Sequence, residues 1–350
     1  MANKKTAIFL VISVLVAIAG CGKEPTAYYR EAKGATKKVD NAIQNGDFES
    51  ALAKCKEGLA KLEFLEKRFP DWEDMALVGP LKEELRKNIN LIESRLQIKR
   101  GYDYQQEEKF EEALVEYKVV LEKYADQPLS CAIAQRAIGN TYFQQGKYEE
   151  ALKAYNLVLE KYKDYSRLTS SIAQASVGKI YILTGKYEEA LKAHNAVLSE
   201  YRDQADACVI ALYEIGYIYQ KMGKHDQALE AWRELVSDYD GHPYARITEL
   251  LLEALQIEPY QKVEEEYREI LPLVLRFFSG QISHTEFLTY SAKLGKEYES
   301  NALFFIAAKY RMDGKTDEAV EYYNRCIEVS GGKGLAHDMA LRALEKIESK

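Results

Sequence analysis

A helical-looking unit that recurs four times most constrains what this chain can fold into. At Gly139–Tyr162 it reads GNTYFQQGKYEEALKAYNLVLEKY, and similar copies occupy Gly101–Tyr124, Gly178–Tyr201 and Gly216–Tyr239. The glycines that start the copies are therefore separated by a nearly constant interval. Self-similarity at a fixed period is typical of repeat proteins, in which each unit buries its apolar face against its neighbours. A chain of 350 residues can therefore fold without one large central core.

Each copy predicts a pair of helices joined by a tight turn. The first helix carries Gly139 and Tyr142, the turn contains Gly146, and the second helix carries Ala151 and Tyr155. A glycine in the turn can adopt the positive φ that ends many helices. We expect Gly139 and Ala151 to be small because the two helices cross closely there. We expect the two tyrosines to fill the gaps between adjacent hairpins.

The order of glycine, tyrosine, alanine and aromatic residue resembles the tetratricopeptide repeat family. The resemblance covers residues 94–240 and returns over 300–330, where Tyr310, Gly314 and Ala319 occupy the same places. It implies an all-α fold, a right-handed α-solenoid of helix hairpins that winds into a superhelix. It also implies that the protein binds other proteins through its first helices.

The remaining segments differ in how closely they follow the repeat. Three prolines divide leucine-rich stretches after residue 240, which predicts one extra helix followed by a divergent hairpin. We predict five segments: a signal peptide (1–20), a degenerate hairpin with a long helix (21–93), the core repeats (94–240), a divergent helical region (241–299), and a last repeat with a capping helix (300–350).

The N-terminus resembles the export signal of a bacterial lipoprotein. Two lysines precede the apolar run Ala7–Ala19, which is shorter than a membrane-spanning helix requires. The segment Ile18-Ala19-Gly20-Cys21 resembles the lipobox, which implies cleavage before Cys21 and lipidation of its thiol. The alternative is an ordinary cleaved signal followed by an incidental cysteine. Gly22, where aspartate would favour the inner membrane, favours the periplasmic face of the outer membrane.

The charge of the chain disfavours two classes of partner, and its cysteines indicate how they are used. The net charge of −7 disfavours nucleic acid and leaves no basic patch for anionic lipid. We therefore expect the protein to reach the membrane through its lipid alone. We expect four free, buried thiols at Cys55, Cys131, Cys208 and Cys326, since Cys131 and Cys208 lie two repeats apart, too far for a disulfide.

Residues that could carry chemistry are scattered. The five histidines show no metal-ligand spacing, and His194 simply replaces the repeat tyrosine. The Gly-Lys pairs lie in inter-helix turns and lack the spacing of a phosphate-binding loop. No GxSxG motif occurs. We expect no enzyme activity, no cofactor and no small-molecule substrate. An enzyme or solute-binding site within residues 240–300 is the alternative from a different class.

When the repeat is placed on the arrangement typical of tetratricopeptide hairpins, the first helices are predicted to line a partner-binding groove. Arg136 and Asn140 resemble the first half of the carboxylate clamp that holds C-terminal peptides in this family. The later positions depart from the clamp: Lys179 stands where the clamp has asparagine, and Ile210 and Glu214 stand where it has basic residues. A polar groove without a carboxylate preference is the alternative. The predicted groove residues are Arg136, Asn140, Gln144, Lys179, Tyr213, Tyr217 and Lys221.

Long repeats on a lipoprotein are similar to the BamD family, the tetratricopeptide lipoproteins of the β-barrel assembly machinery. That family ends its second helices with Tyr-Pro, whereas this chain has Tyr-Ala, Tyr-Lys, Tyr-Arg and Tyr-Asp. The leading hypothesis is a membrane-anchored scaffold that binds an envelope protein or peptide. Outer-membrane protein assembly is its most specific version. The alternative scaffold is a pilotin-like or secretion-apparatus lipoprotein that assembles a multimeric complex.

Overall fold

The described part of the protein is built from α-helices. The computed structural model describes residues 24–267, 269–295 and 298–349, in which there are 17 α-helices, the 3-10 helix Met75–Leu77 and no strand. The predicted signal peptide and Cys21 lie outside these residues. In chain order, α1 to α17 are Pro25–Gln44, Phe48–Arg68, Val78–Gln106, Phe110–Lys123, Pro128–Gln144, Tyr148–Lys161, Arg167–Leu183, Tyr187–Glu200, Ala205–Lys221, His225–Asp238, Pro243–Ala254, Tyr260–Tyr267, Leu271–Phe278, His284–Leu294, Tyr298–Met312, Thr316–Ser330 and Leu335–Glu348.

The chain divides into two compact units between Ala173 and Gln174. The first unit begins with the hairpin α1–α2, which packs on the long helix α3 around a core that includes Leu62, Leu85 and Ile92. The side chain of Asp47 accepts a hydrogen bond from the Ser50 amide at 3.3 Å, as expected of an N-cap. A helix hairpin followed by a long helix therefore opens the described part of the chain.

The turn inside each repeat is a Schellman motif. In the hairpin α5–α6, the amide of Lys147 donates to the carbonyl of Tyr142 at 2.9 Å, and the amide of Gly146 donates to Phe143 at 3.0 Å. Gly146 has a φ of 72°, a conformation that glycine adopts more readily than residues with a side chain. In the first clear repeat Glu108 takes this place with a φ of 58°. That non-glycine residue makes the turn α3–α4 strained.

The glycine of each first helix makes room for an aromatic ring. A Cβ on Gly139 would lie 2.5 Å from the ring of Tyr155, which belongs to the second helix of the same hairpin. The close approach is thus between the backbone of the first helix and a ring of the second, not between two backbones. Tyr142 does pack against the core shared with the preceding hairpin. The equivalent pairs are Gly101 with Tyr117, Gly178 with His194, and Gly216 with Trp232.

The four cysteines within the described residues are buried and free, as predicted. Two of them hold the same place at the start of a first helix. The thiol of Cys131 donates to the carbonyl of Tyr124 at 3.3 Å, and the thiol of Cys208 donates to Tyr201 at 3.4 Å. Both tyrosines end the preceding second helix. Each thiol therefore adds a second hydrogen bond to a carbonyl that already accepts one from a backbone amide, that of Gln127 or of Gln204.

The divergent region contains four helices, α11 to α14, where the sequence predicted three. Pro272 opens α13 instead of simply ending a helix, because proline is tolerated in a first helical turn. The four helices bury apolar side chains against α15 and α16 in one core. The last helix, α17, begins where Glu266 accepts a hydrogen bond from the Leu335 amide at 3.0 Å. The hairpin α15–α16 and the helix α17 therefore end the described part of the chain.

Candidate partner-binding surface

The predicted groove residues lie on three first helices, and where a helix carries several of them, their spacing places them on one face of that helix. On α5 they follow one another every four residues, and the same spacing holds on α9, so each set forms one stripe. Lys179 lies exposed on α7. The stripe on α5 belongs to the first unit, and Lys179 and the stripe on α9 belong to the second. The members of the α5 stripe are Arg136, Asn140 and Gln144, and those of the α9 stripe are Tyr213, Tyr217 and Lys221.

The two amides of the α5 stripe are hydrogen-bonded within the chain. The hydroxyl of Tyr155 donates to Oδ1 of Asn140 at 2.7 Å. Nε2 of Gln105, on the last turn of α3, donates to Oε1 of Gln144 at 2.6 Å, and Tyr117 donates to the carbonyl oxygen of the Gln105 amide at 2.9 Å. The bond between Gln105 and Gln144 links the first helices of two successive hairpins, whereas each tyrosine bond joins the two helices of one hairpin.

Two half-buried arginines of the first unit are Arg136, within this stripe, and Arg95, on α3. Nη2 of Arg136 donates to the hydroxyl of Tyr102 at 3.3 Å. The Nε atoms of Arg136 and of Arg95, on α3, are buried without a hydrogen-bond partner. Burial lowers the pKa of the Arg95 guanidinium, and no carboxylate of the described residues forms an ion pair with either arginine. A half-buried cation without a counter-ion costs folding free energy, so this surface is electrostatically prepared for an anionic group.

On α9, Lys221 is committed to an ion pair. Its Nζ lies 2.9 and 3.0 Å from the two carboxylate oxygens of Glu264, which is on α12. The same ammonium lies 5.1 Å from the centroid of the Tyr217 ring, within the range of a cation–π interaction. The lysine that the sequence placed in the groove therefore joins α9 to α12.

The other groove tyrosine, Tyr213, belongs to an aromatic cluster. Its ring packs edge-on against Tyr244 of α11 with centroids 5.7 Å apart. Its carbonyl accepts a hydrogen bond from Nε1 of Trp232 at 3.1 Å, and Trp232 stacks on Tyr260 at 5.9 Å. Aromatic side chains from four helices thus come together around the middle of α9.

Glu214 is a charged residue of this surface that the groove prediction left out. It lies beside Tyr213 and is half-buried, and burial raises the pKa of its carboxyl while Lys179 opposes that shift. Its carboxylate makes no hydrogen bond or ion pair with the described residues. Glu264 and Tyr260 were also missed, because they lie where the repeat pattern degrades. Their spacing of four residues on one helix was the available signal.

The divergent region has the packing of an apolar core. Among the described residues there is no group of three histidine, cysteine, aspartate or glutamate side chains that could hold a metal ion. A cavity of about 50 Å³ lies beside Glu253, Arg311 and Lys346. The three side chains are already engaged, since Glu253 pairs with Lys346 at 3.1 Å and with Arg311 at 3.4 Å.

Comparison of the sequence with family models identifies the repeats. Models described as tetratricopeptide repeat match residues 98–166, 210–242 and 302–332. These ranges include the first two clear repeats, the fourth and the last. Together with the helix hairpins, they confirm the predicted fold class, an all-α solenoid of tetratricopeptide hairpins. No curated protein sequence matches the chain.

Several solved structures are similar to the chain at low sequence identity. The apo form of the quorum sensor NprR from B. thuringiensis is 18% identical with a TM-score of 0.44, and the match covers 94% of each chain. The apo form of RapI is 15% identical with a TM-score of 0.42, covering 86% of this chain and 98% of the other. MamA is 19% identical with a TM-score of 0.32, covering 66% and 94%.

Proposed function

We propose that this tetratricopeptide-repeat chain is a lipid-anchored scaffold of the bacterial cell envelope that binds a protein partner through its first helices. The observation that carries the proposal is the state of two charged side chains on those helices. Arg95 and Glu214 are both half-buried, and neither forms an ion pair within the described chain. Each costs folding free energy and makes no compensating ion pair, which is typical of groups kept for a ligand.

The proposed anchor is the lipid on Cys21. None of the described helices is long and apolar enough to cross a membrane. The apolar run and the lipobox-like Ile18-Ala19-Gly20-Cys21 supply another means of attachment. Several acyl chains on one cysteine hold a protein firmly, because each buried methylene contributes about 0.8 kcal/mol. Gly22 supports the periplasmic face of the outer membrane as the place of action.

The most specific version of this function is a part in the assembly of outer-membrane β-barrels. It is supported by the long period that separates the starting glycines of the repeats on a lipoprotein, the feature shared with the BamD family. The absence of Tyr-Pro at the ends of the second helices counts against it.

Chemical crosslinking in intact envelopes, followed by purification through a tag at the C-terminus, tests the function and its specific version. A scaffold recovers one or a few envelope proteins reproducibly, whereas recovery of none contradicts the scaffold itself. Recovery of a barrel-assembly subunit supports the specific version, and recovery of other envelope proteins alone contradicts it. Arg95→Met serves as the matched variant, since it keeps the half-buried stem and removes the charge. We expect it to lower the yield of partner.

A further inference from the structure

The surroundings of Glu214 form a site for a positive charge. Tyr217 lies three residues after Glu214 on α9 and therefore shares its face of the helix. The negative charge of Glu214 also contributes to the raised pKa values of four phenols. They come from three helices: Tyr213 and Tyr217 from α9, Tyr244 from α11 and Tyr260 from α12. The first three are half-buried.

The cations of the second unit that act on this site do not neutralise it. Lys221, on the same helix, is held by both carboxylate oxygens of Glu264 at 2.9 and 3.0 Å. Lys179 lowers the pKa of Glu214 through space, but burial outweighs that effect and the pKa stays raised. The carboxylate is thus partly removed from water, and it forms no ion pair with the described residues. A cation from outside the chain would supply the missing charge.

We propose that Glu214 and the tyrosines around it bind an arginine side chain of the protein partner. A guanidinium is planar and pairs with a carboxylate through two parallel hydrogen bonds. It also stacks on aromatic faces and is more weakly hydrated than an ammonium, so it suits a half-buried aromatic site. The inference rests on the proposed scaffold function and names the chemistry that the partner presents to α9.

The unpaired carboxylate of Glu214 should lower the free energy of unfolding of the chain when no partner is bound. Glutamine has the shape of glutamate without the charge, so Glu214→Gln removes a desolvated carboxylate and leaves the packing intact. The variant is expected to unfold at a higher urea concentration than the parent. A lower midpoint would show that the carboxylate has a structural partner and would overturn the proposal.

Binding is tested with three short peptides on the purified full chain. The probes are acetyl-Gly-Arg-Gly-amide and its glutamine and glutamate counterparts, which differ only in the central side chain. The sequence contains two tryptophans, so a Trp72→Phe background leaves Trp232 as the fluorophore, stacked on Tyr260 within the aromatic cluster. The arginine peptide is expected to change its emission saturably, and the other two peptides are not.

Substitution then assigns the binding to the carboxylate. Glu214→Gln is expected to weaken binding of the arginine peptide by about tenfold or more. Glu230→Gln, on the exposed face of α10, is the matched control and leaves the affinity unchanged. Equal responses to the arginine and glutamine peptides, or an unchanged affinity in Glu214→Gln, would overturn the proposal.

These outcomes are independent of the crosslinking test. A chain that captures an envelope protein but does not distinguish arginine from glutamine peptides contradicts this inference alone. A chain that binds the arginine peptide but captures nothing in intact envelopes contradicts the scaffold function instead.

Discussion

Replacement of His194 by phenylalanine should make the protein more stable. His194 is fully buried, and a Cβ on Gly178 would lie 2.5 Å from its Nε2. Both of its ring nitrogens lack a hydrogen-bond partner. The equivalent rings of the other clear repeats all donate a hydrogen bond, since Tyr117 reaches Gln105, Tyr155 reaches Asn140 and Trp232 reaches a backbone carbonyl. His194 therefore occupies an aromatic site without satisfying its polar atoms.

The size of the effect at neutral pH follows from those two nitrogens. A buried polar atom without a partner costs about 1–3 kcal/mol. Phenylalanine removes both nitrogens and fits, because the same site holds the larger ring of Trp232 against Gly216. We expect His194→Phe to raise the free energy of unfolding by about 1–3 kcal/mol at pH 7.

The difference in stability between His194→Phe and the parent should increase as the pH falls. Burial lowers the pKa of His194 from 6.5 to about 4. Between these values the unfolded chain takes up a proton that the folded chain refuses, so the free energy of unfolding falls as the pH falls. The histidine should cost the protein about 2 kcal/mol between pH 7 and pH 5, and no further cost accumulates once the pH is below about 4. The phenylalanine variant does not lose this stability, because phenylalanine does not bind a proton.

Urea unfolding of the purified chain, followed by circular dichroism at pH 7 and pH 5, measures both effects. Tyr155→Phe is the matched control, because it removes a hydroxyl that donates to Asn140 at 2.7 Å. The control should be less stable than the parent by about 1 kcal/mol at both pH values. The reasoning is refuted when His194→Phe is less stable than the parent at pH 7. It is also refuted when their difference is the same at pH 5.

Three further predictions concern packing, the repeat turn and the anchor. Gly216→Ala should lower the free energy of unfolding by about 1–3 kcal/mol, because the new Cβ would lie 2.2 Å from Trp232. Gly34→Ala is the control: its Cβ meets no atom within 4 Å, and the substitution should raise the free energy of unfolding by about 0.5–1 kcal/mol. Urea midpoints in the reverse order would contradict the packing. Glu108→Gly should relieve a positive φ of 58° and raise the free energy of unfolding by about 0.5–1 kcal/mol, and a lower urea midpoint would count against strain there. Cys21→Ser should move the protein from the membrane fraction to the soluble fraction, and retention on membranes would contradict the lipid anchor.

Features set by local sequence were the ones that could be predicted. The turn glycine, the N-cap Asp47 and the tyrosines that end the second helices act within a few residues of chain. The same holds for the glutamate pairs in the first turns of the second helices, which complement the helix dipole. Because most of these signals recur in three or four copies of the repeat, the pairing of helices into hairpins followed directly.

Contacts between elements were harder to predict. The glycine of the first helix and the ring beneath it keep the same separation along the chain in all four clear repeats, so a constant spacing was available in the sequence. It does not by itself say whether the glycine admits a backbone or a side chain. The ion pair between Lys221 and Glu264 joins residues 43 positions apart, in a region where the period is lost. No local pattern predicts that contact, or the unpaired state of Glu214 beside it.

Site-specific photocrosslinking in intact cells tests the central claim most directly, that the first helices bind a protein partner. A photoreactive phenylalanine analogue replaces Gln144 or Lys179, which are exposed on first helices, or Lys153 or Lys192, which are exposed on second helices. We predict that the same envelope protein is crosslinked from Gln144 and Lys179 and from neither second-helix position. Equal crosslinking from all four positions, or crosslinking from the second helices alone, would contradict the claim.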